Sequence, residues 1–251
     1  MSTLSFLLCI LALAYGSFAG SYLVRFPKMI DPESGVSIFS PRSRCESCEE
    51  TLKIRMLIPL ISFLLQRGKC SFCREPINAF YFLNESFHLL LMILILWLDI
   101  FLSWTESLTI FLLLSCFYVQ FLIDLRHLSL SIYMSTKILI LGLILNFTDF
   151  FIDIQSAIIG AIVGYSSLYL INKIYFLIRK KDGIGGGDFI LLASIGAIHG
   201  YQMLSFVVLL GSLLSLLIFL FKRSDYNKKV PFGSGLSLSA LIIMLIKISA
   251  M

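Results

Sequence analysis

Two groups of residues in this chain have the types and spacing to do chemistry. The first is four cysteines, in Cys45-Glu46-Ser47-Cys48 and Cys70-Ser71-Phe72-Cys73, with 21 residues between the two C-x-x-C knuckles. Two such knuckles close one tetrahedral thiolate site, and the spacing is close to that of zinc ribbons. Four thiolates leave no coordination position open, so Zn2+ there would be structural rather than catalytic. The alternative is two disulfides, which a reducing compartment disfavours. The second group is a pair of carboxylates, Asp124 and Asp188, each at the edge of a long apolar run. Two carboxylates that converge on one water can share a single proton. One then serves as general base and the other as general acid on a peptide carbonyl, and their titration belongs to the pair.

Each aspartate also has a plainer reading. Asp188 follows Gly183-Ile184-Gly185-Gly186-Gly187 and opens an apolar segment, where an acidic residue can simply serve the helix N-terminus. The glycines Gly185, Gly186 and Gly187 remove side chains and permit unusual backbone angles, which would let a substrate strand approach the carboxylate. No Lys-Ser/Thr follows them, so the loop is not a nucleotide-binding P-loop. Asp124 closes an apolar run, where the helix dipole is unfavourable to it, so capping of its own helix does not account for it. Glu85 lies near the start of another apolar run, positioned to line a cavity or to reach the interface. His88, one turn on, reads as a paired interior histidine. Cys9 and Cys116 read as small buried hydrophobes.

The elements that must position these groups are membrane helices. Hydrophobic residues make up 58% of the 251 residues and charged residues 14%, with 22 Phe. A soluble domain carries nearer a quarter charged residues, so lipid must be the solvent for most of this chain. The first apolar run, from Leu4 through Val24, has no basic residue before it, which argues against a secretory signal and for a membrane helix. Seven more follow, near 80–98, 108–123, 130–147, 154–177, 189–204, 206–221 and 236–248. The fold class is therefore all-α and polytopic, with about eight transmembrane helices. Three parts follow: residues 1–24 as a first helix, 25–78 as a small polar zinc-ribbon-like segment, and 79–251 as a seven-helix domain.

Orientation follows from loop charge. Residues 25–78 hold Arg25, Lys28, Arg42, Arg44, Lys53, Arg55, Arg67, Lys69 and Arg74, which assigns them to the cytoplasm. Loops with and without Lys or Arg then alternate along the chain. Arg126, Arg179–Lys181 and Lys222, Arg223, Lys228 and Lys229 fall inside, and Asp99–Glu106, Thr148–Asp153 and Gly200–Met203 fall outside. That parity puts Asp124 and Asp188 at the same cytoplasmic edge of an inner membrane. The net charge of +5 is spread over short loops rather than gathered in a stripe, so nucleic acid is excluded as a partner. A small-solute transporter would carry similar halves, and none is seen. The sequence is compatible with a homo-oligomer.

Several motifs together resemble the bacterial prepilin peptidases (type IV leader peptidases), relatives of the GxGD membrane aspartyl proteases. Gly16-Ser17-Phe18 with Arg25-Phe26-Pro27 is similar to the family's opening. Pro41–Cys48, Ile58–Ser62 and Arg67–Cys73 resemble the stretch around the two knuckles, and Tyr81 and Glu85 fall where the family has a Tyr and a Glu. Ile123-Asp124-Leu125-Arg126 and Gly185-Gly186-Gly187-Asp188 resemble the two catalytic Asp motifs, and Pro231-Phe232-Gly233 a late cytoplasmic motif.

The resemblance implies an aspartyl endopeptidase that cuts the short basic leader from type IV prepilins and type II secretion pseudopilins at the cytoplasmic face. It also implies N-methylation of the new N-terminus with S-adenosylmethionine. The alternative is a non-enzymatic assembly factor that retains the fold. This chain departs from the family pattern at four places. Leu130-Ser131-Ile132 stands for Leu-Pro-Asp, Phe189-Ile190-Leu191 for Val-Lys-Leu, and Gly20 and Leu57 each stand for an Asn.

Overall fold

Every apolar run becomes a helix in the computed structural model, which describes residues 3–98, 103–221 and 230–249. The long helices among the described residues are α1 (Thr3–Ile30), α2 (Ala79–Trp97), α3 (Trp104–His127), α4 (Ile132–Asn146), α5 (Ile154–Arg179), α6 (Gly186–His199), α7 (Tyr201–Phe221) and α8 (Phe232–Ser249), with a short helix Ile61–Leu65 and two 3-10 turns between α1 and α2. Among the described residues there is no strand, only two isolated bridges. Asp99 and the basic residues Lys222, Arg223, Lys228 and Lys229 lie outside the described residues.

Local chemistry sets the helix starts. Asn78, Ser131 and Asp153 each accept a main-chain N–H from the first turn of α2, α4 and α5, as polar N-caps do. Ser103 and Glu106 form a reciprocal capping box at α3, with Glu106 Oε2 accepting the Ser103 N–H at 2.7 Å. Two boundaries differ from the sequence reading. The first helix does not stop at Val24 but continues to Ile30, because Pro27 stands where only the preceding turn loses a bond. The break between α6 and α7 is the single residue Gly200, at φ 82°, rather than residues 200–203. That backbone conformation suits glycine.

Among the described residues six helices are long and apolar enough to cross a membrane: α1, α2, α3, α5, α7 and α8. The other two, α4 and α6, have 15 and 14 residues. At the helical rise they reach about 22 and 21 Å, short of a hydrocarbon core of about 30 Å. Helix α6 is apolar all round, buried from Phe189 to His199 except for Ile190, and packed by α4, α5, α7 and α8. It is the central rod of its unit rather than a lipid-facing span.

The chain forms two compact units, residues up to Phe111 and residues from Leu112. In the first, α1 and α2 approach closely because Gly16 and Gly20 carry no side chain. A Cβ on Gly16 would stand 3.0 Å from His88 Cβ, and buried Asn84 donates to the Gly16 carbonyl at 2.6 Å. The departure at Gly20 is matched from across the interface, since Asn84 Nδ2 lies 3.1 Å from where its Cβ would be.

In the second unit, a Cβ on Gly160 of α5 would fall on the Gly196 carbonyl of α6, and a Cβ on Gly196 would fall on the Gly160 carbonyl. Gly164 meets the Leu192 carbonyl in the same way. Small residues let membrane helices touch backbone to backbone, where dispersion and weak hydrogen bonds replace the missing hydrophobic drive.

Candidate functional site

The cysteine segment is built as two copies of one turn, offset by 25 residues. The Cys45 N–H donates to the Glu50 carbonyl, and the Cys70 N–H to the Glu75 carbonyl. Glu49 and Arg74, each one residue past its knuckle, have φ of 60° and 65°. Arg44 bridges Thr51, and Lys69 bridges Pro76. The main chain therefore aims each pair of thiols. All four Sγ atoms lie within 4.8 Å of one another, with Cys45 and Cys73 at 3.8 Å. Thiolates 2.3 Å from a tetrahedral zinc stand about 3.8 Å apart, so the cluster can hold zinc. No pair is close enough for a disulfide, and all four cysteines are free. The Cys73 and Phe72 main-chain amides hold the Cys70 thiol down to about 7, which favours the thiolate that a metal needs.

Glu85 belongs to this same unit. Its Oε2 accepts the Leu60 N–H at 2.8 Å. Leu60 sits at φ 59°, a conformation rare for a branched side chain, and the carboxylate pins that turn. Tyr81, one helical turn away, donates its hydroxyl to Glu46 at 2.9 Å. Both side chains line a cavity of about 310 Å³, together with Arg25, Arg44 and Phe63.

The two aspartates belong to the second unit. Asp124 ends α3 and is 5% exposed. Its Oδ2 accepts the Ser234 N–H at 2.5 Å and the Ser234 hydroxyl at 2.8 Å. Ser234 lies in the first turn of α8. Asp124 is thus placed badly for the dipole of its own helix and well for that of another. Asp188 lies in the first turn of α6 with its Oδ2 against Gly185, whereas its buried Oδ1 has no hydrogen-bond partner among the described residues.

Leu130 locks the three motifs together. A Cβ on Gly187 would stand 2.8 Å from Leu130 Cβ, and one on Gly233 2.7 Å from Leu130 Cδ2. The turn that carries Leu130 is held by buried Gln120, which donates to the Ser131 carbonyl and accepts the Ser131 N–H. Ser131 caps α4 through Met134 N–H, while Ile132 points outward at 61% exposure. The position that differs most in polarity from the family pattern therefore faces away. The loop before Asp188 is clamped by Asn172, whose Oδ1 accepts the Gly183 and Ile184 N–H groups at 2.8 and 3.1 Å. Its Nδ2 donates to Asp182 at 3.0 Å.

The glycines before Asp188 do not act as expected. Neither Gly185, Gly186 nor Gly187 has a positive φ, because Gly185 is the extended N-cap and the next two already belong to α6. Only Gly186 opens onto free space, and Gly187 is a packing contact. Glu85 hydrogen-bonds within the cysteine-bearing unit rather than to either aspartate. Ser234, Gln120 and Asn172 were not picked out in sequence. The nearest signal for Ser234 is the Pro231-Phe232-Gly233 motif before it.

Comparison with known proteins agrees with this division. Residues 10–98 match the bacterial peptidase A24 N-terminal domain, and residues 110–220 match the type IV leader peptidase family. A prepilin leader peptidase/N-methyltransferase of Stutzerimonas stutzeri is 32% identical, over 96% of this chain and 91% of that protein. Proteins of the same name from Neisseria gonorrhoeae and Pseudomonas aeruginosa are each 32% identical, over 94% and 96% of this chain and 88% and 91% of theirs. No solved structure matches the chain.

Proposed function

The chain belongs to the type IV leader peptidase family, and from that premise we propose that it removes the short basic leader from type IV prepilins and pseudopilins. It is a multi-pass inner-membrane protein. Asp124 and Asp188 are the reacting pair and work at the cytoplasmic face, on the scissile bond ahead of the substrate's apolar helix. The observation that supports this reading is that Leu130 packs against both Gly187, next to Asp188, and Gly233, next to the Ser234 that holds Asp124. Open Gly186 leaves room for substrate backbone beside Asp188.

The N-terminal unit serves the second activity, N-methylation of the new N-terminus. Cys45, Cys48, Cys70 and Cys73 hold a structural zinc that orders the segment. The cavity beside it has the residues a sulfonium nucleoside needs: Arg25 and Arg44 for a carboxylate, Glu46 and Glu85 for hydroxyls and positive charge, and Phe63 for a base. About 310 Å³ lies within the usual range for small-ligand pockets. S-adenosylmethionine bound there supplies an electrophilic methyl group for the amine.

The test is cleavage of a prepilin-like peptide in detergent, with the product analysed for both scission and methylation. Asp124→Ala and Asp188→Ala each abolish scission. Cleavage at the wild-type rate by either variant removes the pair from the mechanism, and a wild type that cuts no such peptide leaves the chain a non-enzymatic relative.

A further inference from the structure

We propose that Ser234 is the positioning residue of the aspartyl pair. By donating both its main-chain N–H and its hydroxyl to Asp124, it holds that residue as the ionised, water-activating member and leaves the shared proton on Asp188. The inference rests on the peptidase reading and assigns roles within it.

The asymmetry is geometric. The Asp124 Oδ2 accepts two donors, at 2.5 and 2.8 Å. A main-chain N–H can only donate, so Oδ2 cannot itself carry a proton towards it. Hydrogen bonds to the charged form stabilise that form. Ser234 is fully buried in the first turn of α8, so these donors are fixed before any substrate arrives. The Ser234 hydroxyl has a second acceptor within reach, the Phe121 carbonyl at 3.3 Å, which limits its rotation to the side facing α3. Asp188 has its Oδ2 against Gly185 and differs at its other oxygen. Its Oδ1 is buried without a donor among the described residues. An unpartnered buried carboxylate oxygen is costly, whereas a protonated one can donate to whatever enters. Two carboxylates that share one site do not both ionise.

The chemistry then balances over one turnover. The other Asp124 oxygen, Oδ1, takes a proton from water as the water oxygen bonds to the scissile carbonyl carbon. Asp188 gives its proton to the carbonyl oxygen, forming a neutral gem-diol. On collapse one gem-diol hydroxyl returns a proton to Asp188, and Asp124 passes its proton to the leaving nitrogen as the C–N bond breaks. The pair ends as it began. With Oδ2 held by Ser234, Oδ1 alone does the base work, so the attacking water has one approach.

The test reads the proton directly. Infrared difference spectra of the purified protein are taken for wild type, Asp188→Asn and Asp124→Asn. The protonated-carboxyl C=O band is lost in Asp188→Asn and kept in Asp124→Asn. The reverse pattern, or a band that neither substitution removes, overturns the assignment. This readout needs no substrate, so it is distinct from failure of the peptidase reading, which is scored by wild-type cleavage. A second variant, Ser234→Ala, keeps the N–H and deletes the hydroxyl. It lowers kcat about ten- to a hundredfold, as loss of one hydrogen bond to a charged group does, with KM unchanged. A rise in KM at unchanged kcat assigns Ser234 to substrate binding and overturns the proposal.

Discussion

The cysteine-bearing unit and the aspartate-bearing unit hold reactive side chains by opposite means. In the first, four ligands come from two short turns, and each turn is set by its own main chain, down to the same hydrogen bond from Cys45 to Glu50 and from Cys70 to Glu75. In the second, the two carboxyls come from helix ends 64 residues apart in sequence. Their geometry depends on where α3, α6 and α8 pack. The first arrangement is local, and a metal held by its four thiols would bind its parts into a fold. The second is global, and glycine contacts between helices fix it.

Removing the metal should break the comparison most sharply. Structural zinc contributes on the order of 10 kcal/mol to the folding of such segments. Cys45→Ser, or a strong chelator, should therefore unfold residues 25–78 and expose them to limited proteolysis. Methylation should fall with it, while cleavage at the aspartates persists. Zinc content by elemental analysis should drop from about one equivalent per chain to near none. Less than half an equivalent in the wild type would remove the zinc site itself.

The converse experiment targets the helix contact. Gly160→Leu places a side chain on the Gly196 carbonyl, where only backbone lies to give way. Overpacking costs about 1–3 kcal/mol where side chains can adjust, and more where they cannot. The second unit should then lose its order and cleavage should vanish, with the zinc content of the first unit unchanged. Gly186→Ala is the matched control, since its Cβ meets nothing within 4 Å. It should leave stability intact. Thermal unfolding in detergent, read beside zinc content, checks both.

The same contrast decides what could be read from sequence. The knuckles declare themselves because their spacing is their geometry. Six helices declare themselves because apolar length is what a bilayer demands, and α4 and α6 are as apolar but shorter. Asp124 and Ser234 lie 110 residues apart, and no periodicity links them. Gly187 was legible as a glycine and misread in role, because sequence cannot distinguish a glycine that opens space from one that closes it onto Leu130. Gln120 lay within an apolar run, where a buried amide that holds a distant turn looks like any other polar interruption.

The smallest effect expected separates main-chain control from side-chain control. The zinc knuckles hold their shape through backbone bonds, whereas the loop before Asp188 leans on one distant side chain, Asn172, through three hydrogen bonds. Two of those bonds are exposed and the third is only part-buried, so their loss should cost no more than about 1 kcal/mol of stability. The loop would nonetheless sample other conformations, and a carboxyl misplaced by a fraction of an ångström loses rate steeply. Asn172→Ala should thus lower cleavage about five- to tenfold with an almost unchanged unfolding temperature. Asn172→Asp keeps the acceptor for Gly183 and Ile184 but sets a second carboxylate against Asp182, so it should fall between the two. Equal loss in both variants would mean that the Asp182 bond, not the two loop amides, does the holding.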